Sequence, residues 1–173
     1  MEINRVVVGP LEENCYVLRK GNNVLVIDPG DEIDKIKDVI NNDNVVGVII
    51  THNHFDHVGA LSYFNKELVY DISNLEEKEH KIKDFIFNVI FTKGHTSDSI
   101  SFYFKEINSL FCGDFIFKDN IGRCDLPTGD IDVMMGSINK IKTYPKDMII
   151  YPGHGDSTIL DYEINNNIYL KEV

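Results

Sequence analysis

Cysteine is scarce in this sequence, basic charge is outweighed, and long apolar runs are missing. The three cysteines, Cys15, Cys112 and Cys124, are odd in number, scattered, and include no Cys-x-x-Cys pair. That excludes a disulfide framework and points to a reducing compartment, so the expected location is the cytoplasm. Cys112 lies in an apolar run and reads as a buried structural thiol. Lys and Arg number 17 against 28 Asp and Glu, giving a formal net charge of −11. This charge repels nucleic-acid phosphates, and no basic block overrides it locally, so nucleic acid is not an expected partner. The acidity itself reads as plain solubility. No apolar run approaches the roughly 20 residues of a spanning helix. The start of the chain, with Glu2 and Arg5 beside Val6, Val7 and Val8, lacks the apolar core of an export signal. No membrane partner is expected, and a small molecule is the remaining class.

What is present is an ordinary globular composition, 43% hydrophobic and 26% charged over 173 residues, enough for one sizeable core and too short for two ordinary domains. A single domain over residues 1–173 is expected. Strands are expected at 3–8, 14–19 and 24–27, the last two joined through Lys20-Gly21-Asn22-Asn23 as a hairpin. Ile33, Ile36, Lys37 and Ile40 recur at helical spacing before Asn41-Asn42-Asp43-Asn44 stops the helix. Further strands are expected at 45–50, 68–70, 85–91, 99–104 and 109–111, with 148–151 as the last. Helices are expected at 58–65, across the charged segment 73–83, and at 131–143 behind Asp130 as its cap. Residues 118–130 read as a long loop without periodicity, long enough to suspect function.

The chemistry concentrates in Thr51-His52-Asn53-His54-Phe55-Asp56-His57-Val58-Gly59, where four of the seven residues from 52 to 58 are potential metal ligands. The stretch follows a β-branched apolar run that reads as a buried strand. In extended backbone, residues two apart point the same way, so His52 and His54 present their rings to one ion. Asp56 and His57 come as the chain turns into a helix and offer a second set. The plainer reading is a polar loop, or a helix start capped by Asp56. Imidazole and carboxylate suit zinc, and also iron or manganese. His95 and Asp114 again follow expected strands. His80, amid Glu76, Glu77, Lys78 and Glu79, reads as solvated. Recurrent ligands at strand ends with helices between suit an α/β arrangement with the site along one edge of the sheets.

The run His-x-His-x-Asp-His resembles the signature of the metallo-β-lactamase superfamily. The resemblance extends in order through Ile27-Asp28-Pro29-Gly30, Gly94-His95-Thr96, Phe111-Cys112-Gly113-Asp114 and Tyr151-Pro152-Gly153-His154-Gly155. Within that superfamily the chain is most similar to small hydrolases of the glyoxalase II (hydroxyacylglutathione hydrolase) type. The resemblance implies an αββα four-layer sandwich, α+β in class, with two mixed sheets face to face, helices outside and metals in the groove between. It puts His52, His54 and His95 on a first ion, Asp56, His57 and His154 on a second, and Asp114 between both, with Asp28 supporting the ligand loop. Two divalent ions, zinc foremost, imply hydrolysis of a small acyl thioester such as S-lactoylglutathione by a metal-bound hydroxide, with Asp56 orienting the nucleophile. Only 19 residues follow His154, so the helical C-terminal domain of glyoxalase II is expected to be missing. Arg123 is the candidate for gripping a substrate carboxylate or positioning the loop 121–130. Asp98 stands where relatives commonly have glycine and is expected to alter the approach to the metals. The alternatives are a mononuclear-iron persulfide dioxygenase, a lactonase or a phosphodiesterase.

Overall fold

The computed structural model describes residues 1–171. Strands β1 (Glu2–Val8), β2 (Glu13–Lys20) and β3 (Asn23–Ile27) form an antiparallel meander, after which α1 (Ile33–Ile40) crosses over to β4 (Asn44–Ile49). The short helix α2 (Phe55–Val58) follows and leads to β5 (Val69–Tyr70). These strands make a five-stranded sheet in the order β1-β2-β3-β4-β5, in which β4 and β5 run parallel to β3. Next come β6 (Glu79–Ile82), β7 (Phe85–Phe91), β8 (Ile100–Phe104) and β9 (Ser109–Gly113), then a small hairpin of β10 (Ile116–Phe117) and β11 (Asn120–Ile121). Helix α3 (Ile131–Ile141), strands β12 (Ile149–Pro152) and β13 (Thr158–Ile159), and helices α4 (Leu160–Asn166) and α5 (Ile168–Lys171) complete the described chain. The second sheet has the order β13-β12-β9-β8-β7-β6, and β12 joins β9 in parallel.

Side-chain alternation sorts these strands into layers. In β3, Leu25 and Ile27 face the other sheet while Val24 and Val26 face α1, so a strand buried on both sides reads as one apolar run. The core between the sheets pairs Leu18, Leu25, Ile27 and Ile49 with a phenylalanine-rich face, Phe85, Phe87, Phe102, Phe104 and Phe111. Ile36 and Ile40 of α1 cover the outer face of the first sheet. Met134, Ile138 and Ile141 of α3, with Leu160 and Leu170, cover the outer face of the second. This is the expected αββα sandwich of two mixed sheets. No helix among the described residues is long and apolar enough to cross a membrane.

Four expectations about elements are corrected. The segment 73–83 is not helical: Glu79 to Ile82 pairs antiparallel with Phe85 to Asn88 through a two-residue turn in which Lys83 has a φ of +51°. Burial of Ile82 and Leu75 in the inter-sheet core outweighs the helix propensity of the charged residues. The helix expected at 58–65 instead starts at Phe55 and ends at Val58, because the Ala60 amide donates to the Pro29 carbonyl (3.0 Å) and leaves the helical path. The strand near 148–151 is not the last, since β13, α4 and α5 follow it. The loop 118–130 likewise contains β11.

Phe102 is fully buried between the sheets and meets the Phe87 ring edge-on at 5.7 Å. Phe102→Ala is therefore expected to destabilise the fold by about 3–5 kcal/mol, read from the denaturant midpoint.

Candidate metal centre

The ligand-bearing residues follow the C-terminal ends of β4, β7, β9 and β12, which converge on one edge of the sandwich. The loop after β4 is held from beneath by Asp28, at the end of β3. Its Oδ1 accepts from the Thr51 amide (2.7 Å), and its Oδ2 accepts from the Thr51 hydroxyl (2.6 Å) and the His57 Nδ1 (2.9 Å). Asp28 sits at a φ of +48°, a left-handed conformation tolerated by Asp. The neighbouring Gly30 has no room for a side chain, because a Cβ there would lie 1.8 Å from the Asp56 carbonyl oxygen. Hydrogen bonds across the sheets close the same edge: the Asn14 amide donates to the Gly153 carbonyl (2.7 Å), and the Tyr16 hydroxyl to the Pro152 carbonyl (2.7 Å).

On that platform the ligand atoms of His52, His54 and His95 lie within 4.8 Å of one another, and so do those of Asp56, His57 and His154. His54 Nδ1 and His95 Nε2 are 3.0 Å apart. His154 Nε2 is 3.3 Å from Asp56 Oδ2. Asp114 stands between the two sets, with Oδ1 at 3.3 Å from His57 Nε2 and 3.6 Å from His154 Nε2, and Oδ2 at 3.5 Å from His95 Nε2. A Cβ at residue 153 would come within 2.5 Å of Asp114 Oδ1, so glycine there lets the strand end pass directly against the site.

Four of the five imidazoles are oriented by an outward hydrogen bond that leaves the other nitrogen facing inward. His57 Nδ1 donates to Asp28, His95 Nδ1 to the Arg123 carbonyl (2.7 Å) and His154 Nδ1 to the Leu11 carbonyl (2.9 Å). The Thr51 hydroxyl gives its proton to Asp28 and so accepts from His52 Nδ1 (3.1 Å). Burial, reinforced by the neighbouring His57, holds the His52 pKa well below its ordinary value, which keeps that ring in the neutral, ligating form. Burial opposes the charge on Asp114, but the hydrogen bond and charge of His57 hold its carboxyl well below the usual range.

The inward atoms test whether metal fits. His52 Nε2, His57 Nε2 and Asp114 Oδ1 are buried with no hydrogen-bond partner, a costly state that a coordinated cation relieves. The donor set of imidazole and carboxylate is that of zinc, iron or manganese. The residues present fit such ions.

The other sequence candidates separate clearly. Arg123 lines the cleft over the centre but is engaged bidentately by Asp125, at 2.7 Å for both bonds. Asp98 is engaged by the ligand loop: its Oδ2 accepts from the Asn53 amide (3.1 Å) and side chain (2.7 Å), clamping the residue between His52 and His54. Cys112 is buried, and burial pushes its thiol up to about 12. His80 lies on β6, half-buried, its ring stacked against Phe87 at 6.1 Å, and belongs to no ligand group. Glu13 is a position that sequence reasoning missed. It is 1% exposed with both oxygens unpartnered, Oε1 lies 3.7 Å from His57 Nδ1, and burial, partly opposed by His57, pushes its carboxyl up to about 10. Nothing in Glu12-Glu13-Asn14 distinguishes it from a surface acid before the fold is known. The cleft has a volume of about 510 Å³, and its wall includes Leu11, Phe55 and Leu126 beside the ligand residues.

If Asp28 orients the ligands, Asp28→Asn, which replaces one acceptor by a donor facing Thr51 and His57, should weaken metal affinity by about 10–100-fold. Competition against a calibrated chelator measures this, and unchanged affinity would remove Asp28 from that role.

A sequence profile described as Metallo-beta-lactamase superfamily matches residues 8–88 and 65–154. The chain is 29% identical to Probable metallo-hydrolase YqgX of Bacillus subtilis, over 98% of each protein. It is 27% identical to Hydroxyacylglutathione hydrolase GloC of Haemophilus influenzae, again over 98% of each. Among solved structures, BLEG-1 B3 metallo-beta-lactamase superposes with a TM-score of 0.91 at 28% identity, covering 98% of this chain and 99% of the other. TTHA1623 in a di-iron-bound form gives 0.87 at 30% identity, covering 96% and 100%. The profile match spans most of the sequence and agrees with the sandwich and its clustered ligands, so the chain belongs to the metallo-β-lactamase superfamily.

Proposed function

We propose that the protein is a metal-dependent hydrolase of small acyl thioesters, with a centre for two ions. The observation that carries this reading is the place of Asp114 between two three-residue ligand sets, with its own Oδ1, His52 Nε2 and His57 Nε2 buried and unpartnered. His52, His54 and His95 would hold one ion, Asp56, His57 and His154 the other, and Asp114 would bridge them. Zinc or iron would serve, and the di-iron form of TTHA1623 supports iron. When bound, such a pair supplies hydroxide near neutral pH and polarises a carbonyl oxygen.

The chain's own residues supply the rest. Asp56 is only partly buried, with Oδ2 directed at His154 on the cleft side, where it can orient the attacking water and hold a proton. The water oxygen forms the new C–O bond, the C–S bond breaks, and the thiolate leaves with the electron pair. Because a thiolate is a weak base, no strong general acid is needed beside it. The relative named as a hydroxyacylglutathione hydrolase supports the thioester class. The complete second ligand set favours this reading over a single-iron dioxygenase.

Elemental analysis of protein prepared without chelator should find up to two ions per chain. Asp114→Ala should lose at least one of them together with most hydrolysis, whereas His80→Ala should retain both. Equal losses in the two variants would refute the ligand assignment. Across a metal-loaded panel of S-lactoylglutathione, thioesters of other thiols, lactones, a β-lactam and glutathione persulfide with oxygen monitored, thioesters should be cleaved fastest. Oxygen-dependent persulfide turnover without thioester cleavage would overturn the proposal.

A further inference from the structure

A second hollow of about 250 Å³ adjoins the metal cleft and shares Leu11, Phe55 and Asp56 with it. Its remaining wall is Val8, Pro10 and the glycines Gly9, Gly30 and Gly59, with Asp31 the other carboxylate beside the shared Asp56. Leu11 and Phe55 are large apolar side chains left 51% and 72% exposed at the junction. Neither position is accidental. Phe55 lies between His54 and Asp56 in the chain, and the Leu11 carbonyl accepts from His154 Nδ1. Both apolar groups are therefore placed by the ligand sets themselves, one through covalent neighbours and one through a hydrogen bond, and they stand ready beside any group held at the ions.

The charge around the two hollows points the same way. Outside the ligand residues, their charged lining consists of Asp31 and Arg123, and Arg123 is already bound by Asp125. An anionic group extending from the cleft into the hollow would meet the Asp31 carboxylate with no cationic side chain in that hollow's lining, whereas an alkyl chain would cover Leu11 and Phe55 and gain from leaving water.

We infer that this hollow receives the acyl chain of the substrate and that the protein selects neutral, apolar acyl groups over anionic ones, an inference that rests on the thioester reading above. Hydrolysis of N-acetylcysteamine thioesters by the metal-loaded protein tests it, because the small uncharged thiol keeps the leaving group constant. From acetyl through butyryl to hexanoyl, kcat/KM should rise about threefold per added methylene until the hollow is full, mainly through KM. The succinyl thioester should fall at least tenfold below butyryl, and Asp31→Asn should recover part of that loss. Phe55→Ala and Leu11→Ala should flatten the dependence on chain length, and Phe55→Leu should restore much of it; thermal melts and metal content establish that each variant is folded and loaded. Rates independent of chain length, or a preference for succinyl, would overturn the inference while leaving thioester hydrolysis intact. Failure to cleave any thioester would instead refute the thioester reading. In that case calorimetry with S-alkyl N-acetylcysteamine thioethers decides the hollow's role: affinity that rises with chain length and drops in Phe55→Ala sustains it, and absent or length-independent binding overturns it.

Discussion

Because the two oxygens of Asp28 accept from the Thr51 amide, the Thr51 hydroxyl and the His57 ring, the end of β4 and the first turn of α2 cannot move independently. His52 is held through Thr51, and His57 is held directly, so one buried carboxylate sets the relation between a member of each ligand set. The second sheet is bound to the same point: the Ile100 amide donates to the Thr51 carbonyl at 2.9 Å. Displacing Asp28 would free members of both ligand sets and loosen the junction of the sheets, which is why the geometry of the centre and the closing of the sandwich are one constraint.

That constraint concentrates charge where the fold alone would not place it. Glu13, Asp28, Asp56 and Asp114 all crowd His57, and several of their atoms are buried without partners. Unmet polar groups of this kind destabilise a fold, and the apolar layers on either side of each sheet must offset them. Binding a cation would convert part of this local cost into stability, since the folded chain alone presents the assembled ligand sets. Placing the ligands on loops pinned at rigid strand ends keeps the cost local.

Much of this was legible in the sequence, and for identifiable reasons. Strand ends that carry His52, His95, Asp114 and His154 could be read because each follows an apolar run that must be buried, and the His-x-His-x-Asp-His spacing limits how its side chains can be aimed. The layered fold followed from the resemblance and agrees with the alternation seen in β3. Failures arose where tertiary contacts overrode local pattern. The charged segment ending in β6 has helical composition, yet Ile82 is needed in the inter-sheet core. The short α2 is cut by a hydrogen bond to Pro29, nearly thirty residues earlier in the chain. Glu13 was invisible because its burial depends on three separate segments meeting.

The same distinction explains why the reaction centre is easier to read than the substrate. Ligand residues must be of a few chemical types at constrained spacings, so they leave a mark in one dimension. Substrate contacts are bounded only by shape and charge. Arg123, the residue whose type suggested anion binding, is occupied by its neighbour two positions on, while Leu11 and Phe55 are unremarkable as letters and acquire meaning only through their exposure beside the centre. Asp98, expected to alter the approach to the metals, also secures Asn53 and thereby the ligand loop. Residues that border the strand ends, unlike the ligands, are free of the constraint that the Asp28 anchor imposes on the centre, which is why the substrate side of the cleft leaves so little mark in the sequence.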